Sequence, residues 1–528
     1  MVNFSLLQVE SYVADQWNIH GTARRLAGYE DLNYHISNGE DQYLLKITDG
    51  TFTNLLRAQS KVLQRLNFII KAYESKEYTA RLIPWTSGEV WANHQPITNK
   101  KLFDLGCKAA QHYLKIKDFD DPAIHRKNFP WDLAQAEWIK EEINILDESL
   151  IPIARYFLDR YIDLKPTYEQ LPKSLIHNDL NDYNILVEEG QVAGFIDYGD
   201  MCYSQRINEV AILLTYAMMD KVDPLDAAVP LLRGFTAFCP LLPDEVSMLY
   251  HLIGMRLITS LIFSKKGLVE NPDNKYIQVS REPALTLLSQ WYELYEGWAN
   301  YKMKYACNFK PTDFSAFQNW TVTNKSAQVC KFTKEELHFL DLSVESKELG
   351  HEREFNDPTI HENRIRGILR ANGKSMAIGN YNEIRPLYSS DNFTERGNEG
   401  QRWRTVHIGL DFFAAAGTEV FAFAEGRVHA LKYNEGDKNY GNTVILKHDG
   451  FYTLYGHLST ATLTHIKKEQ EVKAGELIAW FGEPHENGNW APHLHFQIIL
   501  DMMDFIDDFP GVCYVEDREI WTQICPDP

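Results

Sequence analysis

Apolar and polar positions follow changing periods along this chain, and the changes divide it. In the first hundred residues Tyr43-Leu44-Leu45-Lys46-Ile47 reads as a strand. A helix follows from about Leu55 to Ile70, with Leu56, Val62, Leu63 and Leu66 as its apolar positions. From Lys100 to about Tyr301 the pattern is helical. Val246 to Phe263 forms a long apolar-periodic helix, and Trp291, Tyr292, Tyr295 and Trp298 recur at three-to-four spacing as a core stripe. Residues 302–384 carry fewer regular patterns and read as a connector, with a charged segment from His351 to Glu354 and a helix from Glu362 to Asn372. From about Ile384 short β-runs alternate with glycine turns: Val420–Phe423, Gly426–Leu431, Thr443–Lys447, Tyr452–Tyr455, Leu477–Phe481 and Leu494–Ile499.

One polar stretch stands out. His177-Asn178-Asp179-Leu180-Asn181-Asp182-Tyr183-Asn184 follows apolar Leu175-Ile176 and precedes the strand-like Ile185-Leu186-Val187. A turn at Glu188-Glu189-Gly190 leads into a second strand, Val192 to Ile196, which ends on Asp197-Tyr198-Gly199. Two strands flanking a loop deliver side chains to one sheet edge. The H-x-D-x-x-x-x-N spacing resembles the catalytic centre of the protein-kinase-like phosphotransferases, and the resemblance implies a base, Asp179, and a metal-binding amide, Asn184, on one loop, with a second metal carboxylate at Asp197. A polar loop can hold Asp and Asn with no such role. Five matched positions (His177, Asp179, Asn184, Asp197 and Gly199) in this strand context weigh against that. Strand-end lysines are usually solvated, but Lys46 stands before a helix, where a phosphate-binding lysine belongs.

The stretches LIHNDLNDYNILV and GFIDYGDMCYSQRINEVAILLTYAM resemble the aminoglycoside phosphotransferase and choline kinase superfamily, most closely its hydroxylysine kinase branch. The segment Gly28-Tyr29-Glu30-Asp31-Leu32-Asn33-Tyr34-His35-Ile36 resembles that family's nucleotide-covering hairpin. The resemblance implies an α+β protein-kinase-like bilobal domain over 1–301, with an N-lobe of about 1–99 and a helical C-lobe of about 100–301. It also implies phosphorylation of the hydroxyl of a small cationic amino alcohol, hydroxylysine- or ethanolamine-like, using ATP or GTP with magnesium. Asp179 would accept the hydroxyl proton, Asn184 and Asp197 would hold magnesium, and Lys46 would contact the phosphates. Kinases usually pair this lysine with a helix glutamate, and the aligned residue here is Gln59. An amide can hydrogen-bond Lys46 but cannot neutralise it, which leaves another carboxylate or the phosphates to orient the lysine. Asp200 could bind a substrate ammonium or support its own loop, and both readings stand.

A second constellation lies further on. In Arg404-Thr405-Val406-His407-Ile408-Gly409-Leu410-Asp411-Phe412, strict alternation puts His407, Gly409 and Asp411 on one strand face, and the glycine leaves room for an ion. His493-Leu494-His495-Phe496 again places two histidines on one face, and Tyr455-Gly456-His457-Leu458 lies between. Two histidines and a carboxylate plus a water is the open-site formula of catalytic zinc. HLH alone would read as exposed polar residues; HxGxD, YGHL and HLHF in this order favour a metal. These motifs resemble the lysostaphin/LytM-type zinc endopeptidases over roughly 385–510, implying a mostly-β domain there and a tail over 511–528. By that resemblance His407, Asp411 and His495 bind zinc, while His457 and His493 hold the water and stabilise the transition state.

Length and composition set the frame. At 528 residues the chain is too long for one core, and 44% hydrophobic with 24% charged residues is an ordinary globular composition. A formal net charge of −20 argues against a nucleic-acid partner. Seven scattered cysteines without a CxxC pair read as reduced thiols. The N-terminus lacks a basic region and no apolar stretch approaches a membrane span, so a soluble, cytoplasmic protein without a membrane partner is expected. Peptidoglycan lies outside the membrane and nucleotide inside, so the zinc domain is expected to act on an intracellular peptide or amide, or to bind metal for structure. The domain order resembles the front of a longer bacterial fusion ending in a class III, pyridoxal-phosphate aminotransferase-like module, which would begin where this chain stops. The rival readings are a zinc hydrolase with the kinase fold as a ligand sensor, and a non-catalytic assembly module.

Overall fold

The computed structural model describes residues 4–26, 31–270, 281–310 and 314–528, which separate into two units between Leu294 and Tyr295. In the first, an antiparallel sheet runs in the order Thr22–Leu26, Leu32–Ser37, Gln42–Asp49, Tyr78–Pro84 and Lys71–Glu74. Cross-strand register sorts its side chains by face. Tyr34, Leu45 and Leu82 align and, with Ile36 and Ile47, pack against Val9 and Val13 of the helix Leu6–Trp17. Asn33, Lys46 and Arg81 align one position along, so the two-residue period turns them to the opposite face. The turn Gly28-Tyr29-Glu30 of the expected hairpin lies outside the described residues. The next helix spans Thr53–Arg65, shorter than the apolar pattern predicts, because Asn67 adopts a left-handed conformation (φ 69°) and stops it.

The helical part of this unit includes Asn99–Ile116, Ile151–Tyr168, Ile207–Met218, Pro224–Thr236, Pro243–Glu270 and Arg281–Glu293. Pro243–Val269 is long and apolar enough to cross a membrane by length and composition, against the expectation that no stretch is. Its most apolar window is 83% buried within the fold, so tertiary packing takes up that surface. Asn99–Ile116 and Pro224–Thr236 meet backbone to backbone. A Cβ on Gly106 would lie 2.1 Å from the Leu231 carbonyl oxygen, and one on Gly234 would lie 2.1 Å from that of Phe103.

The expected stripe after residue 290 is divided, and the domain boundary falls at 294, not at 301. Trp291 is fully buried and its indole N–H donates to the Tyr250 carbonyl. The chain leaves helix before the next begins at Glu296, and Tyr295 and Trp298 pack on Phe505 and Trp521 of the second unit.

In the second unit an eight-stranded sheet runs Leu337–Leu340, Met376–Gly379, Leu410–Phe413, His493–Ile499, Tyr452–Leu458, Gly441–Lys447, Gly426–Asn434 and Glu471–Val472. Its first two strands come from the segment 302–384 expected to be a connector. They are parallel and need a crossover, which the helix Pro358–Asn372 supplies while burying Ile365 and Leu369. Two four-residue strands so far apart give almost no periodic signal. The expected tail over 511–528 is also folded: Val512–Tyr514 pairs with the strand Gly400–His407, and Ile520, Trp521, Ile524 and Cys525 enter the core. The run Arg404–Phe412 is two strands, not one. It breaks at Ile408-Gly409, where the Ile408 N–H donates to Gly511, and Leu410–Phe413 crosses into the larger sheet.

The paired glycines give the first prediction. Gly106→Ala forces the two helices apart and should cost about 1–3 kcal/mol of the first unit's stability, the usual range for overpacking. Urea unfolding followed by tryptophan fluorescence checks this; an unchanged midpoint would contradict the contact.

Candidate functional site

The polar face of the five-stranded sheet looks onto a cavity of about 300 Å³ closed below by Asn184, Ile196, Asp197, Tyr198 and Gly199. Lys46 is buried beside it, its ammonium 2.9 Å from Asp197 Oδ1 and 3.3 Å from Asp31 Oδ2. Burial works against that charge, but the two carboxylates outweigh it and raise the Lys46 pKa. The same ammonium holds Asp197 below its ordinary value. Asp197 takes a left-handed backbone (φ 61°), and Oδ1 also accepts the Gly199 N–H. Gln59 does not reach the lysine, and its amide donates to the Gly199 carbonyl at 3.4 Å. Arg81, buried on the next strand, adds a second cation to the cavity wall, and burial lowers its pKa to about 10.

The loop after Lys173–Ile176 brings the expected residues together. Asn184 Nδ2 donates to the Asp179 backbone carbonyl at 2.9 Å and to Oδ2 at 2.8 Å, and its own carbonyl accepts the Ile196 N–H. The two side-chain bonds use the amide nitrogen and leave the side-chain oxygen for a cation, while the backbone bond ties Asn184 to the residue before Asp197. Asp179 Oδ1 accepts from Arg256 Nη2 at 2.8 Å. Arg256 is buried with its guanidinium 4.8 Å from the centre of the Trp131 ring. Glu209 is fully buried and accepts the backbone N–H groups of His177 (3.0 Å) and Asn178 (2.9 Å), which fixes the loop. Burial pushes its carboxyl up to about 7. Asp182 is raised by burial to about 6, and Asp200 to about 7 by burial and then by Asp179. Sequence reasoning missed Glu209, Arg256 and Arg81. The available signal was a lone charge inside an apolar helix or strand, which survives burial only when paired.

In the second unit, His407, Asp411 and His495 converge. His407 Nε2 lies 2.9 Å from His495 Nδ1, and Asp411 Oδ1 is 3.2 Å from each. Ligand atoms about 2.0–2.2 Å from a tetrahedral zinc stand roughly 3.3 Å apart, so this triangle fits the ion. Tautomers fit as well. His407 Nδ1 faces the Asn380 carbonyl at 3.4 Å and His495 Nε2 faces Gln497 Oε1 at 2.9 Å. Each ring therefore donates away from the centre and turns a lone pair inward. Burial lowers the His407 pKa to about 3, so that lone pair stays free at neutral pH. The carboxylate is set by a residue the sequence did not reveal: Arg385, fully buried, donates Nη1 to Asp411 Oδ2 at 2.6 Å and Nε to Glu383 at 2.7 Å. Gly409 matters through the close approach of His495, whose Cε1 would lie 2.6 Å from a Cβ there.

The rings of His457 and His493 lie 4.1 Å apart between centres, tilted by 32°, and both line a cavity of about 380 Å³ with the triad. Their Nδ1 atoms meet the carbonyls of Asn487 (2.8 Å) and Ala491 (2.7 Å), leaving both Nε2 atoms as acceptors. Burial lowers both pKa values, that of His493 to about 4. Tyr440 also lines the cavity, with a buried hydroxyl that has no hydrogen-bond partner among the described residues.

Comparison with known proteins agrees with this division. Residues 22–238 match the Phosphotransferase enzyme family and residues 405–505 match Peptidase family M23. Hydroxylysine kinase of Mus musculus is 27% identical over 319 residues, covering 51% of this chain and 84% of that protein. Lysostaphin of Staphylococcus staphylolyticus is 38% identical over 100 residues, 18% of this chain and 19% of that protein. Among solved structures, a microcompartment-associated aminopropanol kinase superposes with a TM-score of 0.41 at 14% identity, covering 58% of this chain and 100% of that one. The chain thus joins a phosphotransferase-family domain with hydroxylysine kinase relatives to a C-terminal, lysostaphin-like M23 peptidase domain.

Proposed function

We propose that the first unit transfers a phosphoryl group from ATP or GTP to the hydroxyl of a small cationic amino alcohol, hydroxylysine- or ethanolamine-like, and that the second is a zinc-dependent hydrolase of a peptide or amide. The observation that carries the kinase reading is that Lys46, Asp197 and Asn184 line one cavity and Asn184 bonds directly to Asp179. Asp179 is oriented from both sides, by Arg256 on one oxygen and by Asn181 and Asn184 on the other. It takes the proton of the acceptor hydroxyl as the hydroxyl oxygen attacks the terminal phosphorus. Lys46 meets the phosphate charge. Magnesium, which Asn184 and Asp197 would hold, supplies further charge neutralisation when bound. The need for nucleotide is the argument for a cytoplasmic location.

In the second unit, His407, Asp411 and His495 would hold zinc, which when bound lowers the pKa of a water and polarises a carbonyl. Asn487 and Ala491 fix the rings of His457 and His493 so that Nε2 can take the proton of the attacking water and return it to the departing amine.

A screen of nucleotide consumption over amino alcohols tests the kinase reading. Asp179→Asn should abolish turnover while leaving nucleotide affinity nearly unchanged, and comparable turnover would remove Asp179 from its role.

The acceptor's KM should depend on pH. Asp200 is held protonated up to about 7 and ionises above that, so KM for a cationic acceptor should fall as pH rises from about 6 to 8. Asp200→Asn should flatten that limb; a profile identical to the parent's assigns Asp200 to loop support alone.

The protein should carry about one zinc per chain. His407→Ala and His495→Ala should lose it, whereas His457→Ala should retain it with phosphotransfer intact in all three. Metal analysis decides, and loss of zinc from His457→Ala would overturn the division of roles.

A further inference from the structure

The zinc cavity holds more positive charge than its chemistry uses. Arg385 is committed to Asp411 and Glu383, but Lys438 and Arg404, which also line the cavity, form no ion pair among the described residues. Lys438 is 7% exposed and adopts a left-handed backbone (φ 60°), uncommon for lysine. The 488–489 segment pins it at both ends. Its N–H donates to the Gly488 carbonyl at 2.8 Å and its ammonium to the Asn489 carbonyl at 3.0 Å, and the ammonium stands 4.3 Å from the centre of the Trp490 ring. Burial lowers its pKa. Asn392 couples it to Arg404: the Asn392 carbonyl accepts from Arg404, and its Nδ2 donates to the carbonyl of Asp437, the neighbour of Lys438. The one acidic side chain on the wall besides Asp411 is Asp508, which accepts the Phe509 N–H and lies 4.0 Å from Lys432.

Position gives these cations a meaning. The Trp490 ring centre is 6.0 Å from that of His457 and 6.2 Å from that of His493. The Lys438 ammonium therefore lies within about 10 Å of the histidine pair. An extended residue spans about 3.3–3.6 Å, so two or three residues bridge that distance. The cavity is small, about 380 Å³, and part of its wall precedes the M23-matched region: His361 from the crossover helix, and Leu387, Tyr388 and Phe393 from the segment after it.

Granting the hydrolase reading above, we infer that the second unit's substrate is a short peptide or N-acyl amino acid with a free C-terminal carboxylate, anchored by Lys438 with Arg404 beside it. Water adds to the carbonyl carbon of an amide near the C-terminus and the C–N bond breaks. The hydroxyl stays with the acyl part, and the proton goes to the amine of the released residue. The site thereby trims chain ends instead of cutting within a chain.

The test uses the zinc-loaded full chain and a degenerate tripeptide mixture made once as free acids and once as C-terminal amides, with consumption read by mass spectrometry. The free acids should be consumed at least tenfold faster. Lys438→Met should retain zinc, lose most of that preference through KM, and lose the rise in Tm that millimolar free acids give the parent. Equal consumption of acids and amides overturns the anchoring and leaves the hydrolase reading intact. Consumption of neither by zinc-loaded protein overturns both, and an unchanged preference in Lys438→Met removes that residue from the site.

Discussion

A carboxylate keeps its charge and its orientation inside a fold when a cation or a set of hydrogen-bond donors faces it, and both sites rest on such pairing, at a buried Asp411, a partly buried Asp179 and an Asp197 that solvent still reaches. Asp179 leans on Arg256, Asp197 on Lys46 and Asp411 on Arg385. In each pair the cation comes from a different part of the fold than the carboxylate. Arg256 rides on the longest helix of the first unit, and Arg385 follows the short strand Glu383–Ile384. Reactive geometry therefore exists only once those elements have packed.

The same logic explains how the kinase-like site manages without a helix glutamate. Lys46 gains its counter-charge from Asp197 and Asp31, and Gln59 turns to the Gly199 backbone. The lysine and the cation-binding carboxylate are thus linked directly, and Arg81 adds charge on the adjoining strand. Phosphate oxygens would find two buried cations on one sheet face, an arrangement that the two-residue alternation of strands produces without further machinery.

Around His407, Asp411 and His495 the hydrogen bonds that point outward matter as much as the side chains that converge. Backbone carbonyls of Asn380, Asn487 and Ala491, with the side chain of Gln497, occupy one nitrogen on each of four histidines. Burial keeps His407 and His493 neutral, so lone pairs face the cavity at neutral pH. His361, Leu387, Tyr388 and Phe393 add walls to the cavity from outside the M23-matched residues, beside Lys438, whose ammonium donates to the Asn489 carbonyl.

Sequence alone pointed to the two clusters and to their families. Loop spacing from His177 to Asp197 is a local signal, and the structure joins Asp179 to Asn184 there; His407, Asp411 and His495 also converge, but across a strand break at Ile408-Gly409 that the alternation does not predict. The β-runs after Val420 were legible because alternation and glycine turns are local signals. What sequence did not determine depends on contacts far apart in the chain. Leu337–Leu340 and Met376–Gly379 are strands only because each completes the other and the sheet beyond, so 302–384 read as a connector. The boundary at 294 arises where one aromatic stripe divides between two cores. Glu209, Arg256 and Arg385 carry no motif. Their charge acquires a role from burial and from the partner that burial supplies or withholds, and only the tertiary structure decides that.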